Sequence, residues 1–281
     1  NYNPIIRLVA PSKYQVMAFN STYTSKKTSV FGEIAISNND ANLFSSIDDS
    51  QNSGAATKVN WKQLFIDSDW KFSTDLGYEY VHQNFATEQR FTNVEFNRDW
   101  NIINLTGNRN LFNLLFKLNN KKSSYDYGIN LMSYAANYSG IKHDFKSEVQ
   151  LKKTILSANI SLLKNTTPIE SNTFFRAKGK IEHSLNSVWI GGFIHTETNE
   201  KKLKTSQKFT NLSHRFKEYE IYVGLGDSTK VHSKIGFNYR ENDSIRNNAF
   251  TKINSRKTFY INSRLIENSI TNLSVFANYR I

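Results

Sequence analysis

Alternation with a period of two runs through this chain and limits its fold more than any other feature. From residue 231 to 240, Val231, Ser233, Ile235, Phe237 and Tyr239 fall on one side of an extended backbone, and His232, Lys234, Gly236, Asn238 and Arg240 fall on the other. Successive side chains of a β-strand point to opposite faces, whereas a helix would mix these two sets. The split recurs at 70 to 80, where Trp70, Phe72, Leu76, Tyr78 and Tyr80 oppose Lys71, Ser73, Asp75, Gly77 and Glu79. At 175 to 182, Phe175, Ala177, Gly179 and Ile181 oppose Arg176, Lys178, Lys180 and Glu182. Residues 154 to 162, 219 to 226 and 273 to 281 follow the same rule. The chain is therefore predicted to be all-β, with one apolar and one polar face.

Polar clusters separate these runs. Short turns are expected at Ser25-Lys26-Lys27, Asp67-Ser68-Asp69, Lys121-Lys122-Ser123, Lys152-Lys153, Asn186, Asp227-Ser228-Thr229 and Glu267-Asn268-Ser269. Longer connections are expected at 38 to 56, 84 to 108, 164 to 171, 197 to 212 and 241 to 255, with a tight turn near Ser139-Gly140. The runs between them give about 14 strands of about 9 to 14 residues, and a tilted membrane strand needs about 9 to 11. The predicted fold is an up-and-down antiparallel transmembrane β-barrel of about 14 strands, one domain over residues 1–281. A large soluble sandwich also alternates apolar and polar positions. Against it stand only 3 prolines and the aromatics Trp70, Tyr80, Tyr127, Trp189, Tyr219, Tyr239 and Tyr279 towards strand ends, the pattern of membrane-interface girdles. If the short turns form the periplasmic rim, the last strand runs outward, the reverse of the usual arrangement, so the orientation stays open.

Composition narrows the chemistry. Among 281 residues there are 36 Lys and Arg against 24 Asp and Glu, a net charge of +12, and no Cys. A disulfide framework, a thiolate metal site and a cysteine nucleophile are thereby excluded. No apolar run approaches the roughly 18 residues of a transmembrane helix. The opening residues lack the basic-then-apolar layout of a secretory signal, so the chain reads as mature, as a fragment, or as cytoplasmic.

The six histidines invite a search for catalysis. The nearest candidates are His143, with Ser147 four residues on, and His195-Thr196. There is no His-Glu-x-x-His, no phosphate loop and no Gly-x-Ser-x-Gly, so enzyme activity, a metal and a cofactor are not expected.

The polar faces are strongly basic. Lys71, Lys146, Arg176, Lys178, Lys180, His232, Lys234, Arg240, Arg264 and Arg280 take interior positions, partly balanced by Glu79, Glu148, Glu182, Glu218 and Glu220. In a closed barrel they make either a lumen that favours anions or an ion-pair network that fills it. The expected function is porin-like passage of small, preferentially anionic solutes; the alternative is a structural subunit of an outer-membrane assembly. The basic residues are spread over every strand and turn, which argues against nucleic acid and for outer-membrane lipid headgroups and lipopolysaccharide phosphates as partners, with other outer-membrane proteins in the scaffold case.

One connection, residues 84 to 101, mixes aromatics with Glu88, Arg90, Glu95, Arg98, Asp99 and Trp100. It is expected to be packed and ion-paired, as a lumen constriction, a docking element or a self-contained cap. Within it, Arg90-Phe91 followed by Val94-Glu95-Phe96-Asn97-Arg98-Asp99-Trp100-Asn101 resembles a stretch of large outer-membrane barrel proteins of Bacteroidota, and the Asn-, Lys- and Tyr-heavy composition is similar to theirs. The resemblance implies a barrel fold and an outer-membrane location in a Gram-negative bacterium. Those relatives are usually longer, which implies that the chain is either a complete barrel or the barrel part of a longer protein.

Overall fold

In a computed structural model, residues 10–47, 49–88, 92–103, 105–227, 231–267 and 270–281 are described. They form an all-β chain. Its strands are β1 (Lys13–Thr24), β2 (Thr28–Asp40), β3 (Ser53–Asp67), β4 (Lys71–Val81), β5 (Arg109–Asn119), β6 (Ser123–Tyr134), β7 (Tyr138–Leu151), β8 (Thr154–Thr166), β9 (Glu170–Leu185), β10 (Val188–Leu203), β11 (His214–Gly226), β12 (His232–Arg246), β13 (Ala249–Glu267) and β14 (Asn272–Arg280). They make a 14-stranded sheet in strict sequence order from β1 to β14, an up-and-down arrangement. One short helix, α1 (Phe96–Asp99), and a 3-10 turn at Asp49–Gln51 lie in connections. No helix among the described residues is long and apolar enough to cross a membrane.

The chain divides into two compact units. The first comprises Asn1–Leu64, Asp75–Leu114 and Asn130–Ser139; the second comprises Phe65–Thr74, Leu115–Ile129 and Gly140–Ile281. The division passes through β3, β4, β5, β6 and β7 rather than through connections.

Register shows how alternation becomes two faces. On β10 and β11, Ile190 pairs with Val223 and Ile194 with Tyr219 on one face, while Trp189 pairs with Gly224 and Phe193 with Glu220 on the other. On β12 and β13, Ile235 pairs with Ile261 and Phe237 with Phe259, while Gly236 pairs with Tyr260 and Asn238 with Thr258. The apolar set is the exposed one and the polar set is the buried one. Ile221 is 66% exposed, whereas Asn238 is 8% exposed and Glu197 2%. A soluble sheet has the opposite polarity.

Strand lengths depart from the sequence expectation. β9 and β10 have 16 residues each, and β13 has 19. The long connections expected at 164 to 171, 197 to 212 and 241 to 255 shrink to 167–169, 204–213 and 247–248. Past Thr196, β10 carries polar residues on both faces (Thr196, Glu197, Thr198, Asn199, Glu200, Lys201), so no apolar period marks it as strand. Between β12 and β13, Asn247 and Asn248 both take positive φ, 50° and 58°. This is the two-residue hairpin geometry that Asn tolerates, and it replaces the predicted loop. The tight turn expected at Ser139-Gly140 lies at 135–137, with Ala135 at φ 41°. The predicted connections at 38 to 56 and 84 to 108 are found at 41–52 and 82–108.

Candidate functional site

The polar face of the second unit carries most of the charged residues singled out from the sequence. Lys180 Nζ pairs with Glu182 at 3.0 Å, Lys234 Nζ with Glu220 at 2.9 Å, and the Arg240 guanidinium with Glu218 at 3.3 Å. The carboxylates are held further by neutral donors. Tyr222 Oη donates to Glu182 at 2.9 Å, Tyr260 Oη to Glu220 at 2.6 Å, and Asn238 Nδ2 to Glu218 at 2.8 Å. His195 lies 3.9 Å from Glu218 and packs edge-on against Phe216. Multiple donors on one carboxylate turn an ion pair into a fixed node, because each hydrogen bond to a charged acceptor is stronger than a neutral one.

Aromatic side chains interleave with these nodes. Lys234 Nζ sits 3.8 Å from the centroid of the Tyr222 ring, and Trp189 meets Tyr222 edge-on at 5.7 Å. Together with Lys180, Glu182, Phe193, Glu220 and His232 they line a cavity of about 460 Å³. Glycine makes room for the rings. A Cβ on Gly224 would enter the Trp189 indole, one on Gly191 the Tyr222 ring, and one on Gly236 the Tyr260 ring. Trp189 is thus buried on the polar face rather than exposed in an apolar girdle, a correction that follows from its pairing opposite a glycine.

The other basic positions meet different neighbours. Lys178 is exposed and lies opposite His195 in register, and Lys146 and Glu148 are exposed on β7. The Arg176 guanidinium lies over the Phe174 ring at 4.8 Å. His232 packs edge-on to Trp189 and pairs in register with Arg264, while Arg280 is exposed opposite Thr258. Lys71 pairs with Asp67 at 3.1 Å at the tip of the β3–β4 hairpin, with both side chains about half exposed. The catalytic candidates separate. His143 bonds Tyr127 Oη at 2.8 Å on the apolar face, and His195 belongs to the polar-face network.

In the first unit, the connection between β4 and β5 packs onto the polar face of β2 and β3. Its backbone at Asn84 and Phe85 passes so close to Gly54 that a Cβ there would overlap it, and Ala86 N donates to the fully buried Ser37 at 2.9 Å. Further along, Phe96 and Trp100 are buried, and Tyr138 Oη donates to the Trp100 carbonyl at 2.6 Å. The Arg109 guanidinium lies over the Phe96 ring at 5.1 Å and pairs with Glu79. Of the loop charges expected to pair, Arg98 and Glu95 meet at 3.3 Å with both side chains more than half exposed; Glu88 is exposed, Asp99 is half-buried, and Arg90 lies outside the described residues. The anchors are therefore Trp100, Phe96, Tyr138 and Arg109. The last two stand beyond the 84 to 101 stretch, and no local pattern announces them.

No protein-family model matches the chain, and no curated protein does. Solved structures similar to it include the outer membrane protein OpdK from Pseudomonas aeruginosa, at 10% identity and a TM-score of 0.42, covering 96% of this chain and 87% of that one. The Pseudomonas aeruginosa OpdK structure with vanillate has 9% identity and a TM-score of 0.42 over 96% and 87%. An improved structure of the same organism's OccK1 (OpdK) has 9% identity and a TM-score of 0.43 over 96% and 86%.

Proposed function

We propose that the sheet closes into a barrel in the outer membrane of a Gram-negative bacterium, with its apolar face in lipid and its polar face lining a path for small, preferentially anionic solutes. One observation carries this reading: in the second unit the exposed face holds Ile190, Ile194, Ile221, Val223, Leu225 and Ile235, while Glu197, Asn199, Lys201 and Asn238 on the other face are buried. In water that face would be a far larger apolar patch than a soluble monomer tolerates. In hydrocarbon it is the favourable surface, and the polar face belongs to the lumen.

The pairing on the polar face decides which charges act on a solute. Lys180, Lys234 and Arg240 are offset by carboxylates, so the positive field falls to residues such as Lys146 and Lys178. A charge in a confined low-dielectric path lowers the entry energy of an opposite ion. The β4–β5 connection, packed on the polar face of β2 and β3, sets the size limit. No covalent chemistry enters this reading.

A second reading, a structural subunit of an outer-membrane assembly, draws support from the same ion pairs, which consolidate the wall without needing an open path. Other outer-membrane proteins are its partners; lipid and lipopolysaccharide surround the barrel in either case. A Bacteroidota-type origin is proposed on the stretch from Val94 to Asn101. Planar-bilayer recordings of the purified protein test the choice. Anion-preferring steps support the path, and a silent bilayer with correctly inserted protein supports the scaffold.

A further inference from the structure

Lysines collect on the short hairpin tips of the second unit. The β5–β6 turn carries Lys121 and Lys122, the β7–β8 turn carries Lys152 and Lys153, and Lys71 follows the β3–β4 turn; all five are exposed. Lys71 leans on Asp67 and Lys153 donates to Asn186 Oδ1 at 3.2 Å, but neither dyad contains an acidic residue or has one next to it along the chain. The tips form a continuous strip. Gln150 N donates to the Lys122 carbonyl at 2.8 Å and Ser184 N to the Lys153 carbonyl at 2.8 Å, tying neighbouring hairpins together. Asn120 fixes the first tip by accepting from the backbone of Lys122 and Ser123 at 2.8 and 2.7 Å. A cavity of about 470 Å³ opens between the β3–β4 and β5–β6 tips, lined by Ser68, Lys71, Asn119, Asn120, Lys121 and Lys122 along with Asp69.

Immediately behind the tips lies a row of aromatic rings. Phe65 and Phe72 are 5.8 Å apart, Phe72 and Phe116 are stacked at 6.4 Å, and Trp70 stacks on Tyr125 at 6.3 Å. Strand length places both layers. β4 and β5 have 11 residues and β6 has 12, close to the roughly 9 to 11 that cross the hydrocarbon. Rings at the strand ends then stand at the interface, and the lysines just past them stand among headgroups.

We propose that this rim binds the phosphates of anionic phospholipid headgroups, with the acyl chains against the aromatic row. The proposal rests on the membrane-barrel reading and names the residues by which the barrel holds anionic lipid. Exposed lysines attract an anionic leaflet over a distance of about a Debye length, so the effect is additive over the strip and sensitive to salt.

The test is electron paramagnetic resonance of the protein reconstituted in phosphatidylcholine bilayers with trace spin-labelled phosphatidylglycerol or phosphatidylcholine. The motionally restricted fraction reports lipid at the protein surface. Phosphatidylglycerol is expected to be favoured by about threefold or more at low salt. Lys121→Gln/Lys122→Gln/Lys152→Gln/Lys153→Gln should bring the two lipids to parity, whereas Lys204→Gln/Lys208→Gln, on the β10–β11 connection, should keep the preference. Parity in the unmodified protein, or a preference that survives the fourfold change or falls equally with the control, overturns the proposal. Heat-shifted gel mobility of the same preparation separates these outcomes from failure of the barrel reading, since uninserted protein shows no shift.

Discussion

Trp189 lies across the backbone of Gly224, its direct partner on the next strand, and fills the space a side chain would take. Tyr222 does the same over Gly191 and Tyr260 over Gly236. These three glycines are required for packing, not for unusual backbone angles. Gly224→Ala would push the indole from its seat and is expected to destabilise the fold by about 1–3 kcal/mol, the usual effect of overpacking. Gly32→Ala, where a Cβ meets nothing within 4 Å, should be near neutral. Urea unfolding in detergent, followed by Trp fluorescence, compares the two.

The hydroxyl of Tyr138 holds the carbonyl of Trp100. Tyr138→Phe leaves that carbonyl without this donor and should weaken the docking of the connection by about 1 kcal/mol. Limited proteolysis between residues 84 and 101 should speed up accordingly. Arg98→Ala removes the exposed pair with Glu95, which is worth little, and should change the cleavage rate less than Tyr138→Phe does.

Lys178 and the Lys234–Glu220 pair make opposite predictions for ion selectivity. Lys178→Gln removes an exposed positive charge and should lower the anion-to-cation permeability ratio. Lys234→Gln/Glu220→Gln removes a net charge of zero, so the ratio should hold while stability falls. Reversal potentials under a salt gradient distinguish them, and equal shifts for both would count against the assignment.

Ile221 reports on the solvent of the apolar face. At 66% exposure, Ile221→Arg would be harmless on a soluble sheet, but in lipid it should destabilise folding by about 2–4 kcal/mol near the bilayer midplane. Folding yield into lipid vesicles measures this. Unchanged yield would argue that the residue faces water.

Much of the architecture was legible where lipid-like and water-like faces alternate. The pattern of Val231 to Arg240 places those residues on the faces they occupy, since period two needs only a contrast between neighbours. Legibility ended where the contrast did. The outer part of β10, from Thr196 to Lys201, is polar on both faces, so extended backbone leaves no hydrophobic period there. The Asn247-Asn248 hairpin hid because two adjacent asparagines in a polar run look like any loop until their φ angles are known. The ion pairs of Glu218 and Glu220 depend on register between strands, and the seat of Tyr138 under Trp100 joins residues 38 positions apart. Alternation along one strand carries neither.

Whether the sheet closes into a barrel with its apolar face in lipid is decided by comparing unheated and boiled samples of the detergent-extracted protein on an SDS gel, with circular dichroism on the same material. A closed barrel gives a band that migrates differently before boiling, together with a β spectrum. A protein that stays soluble without detergent and shows no heat shift would contradict it.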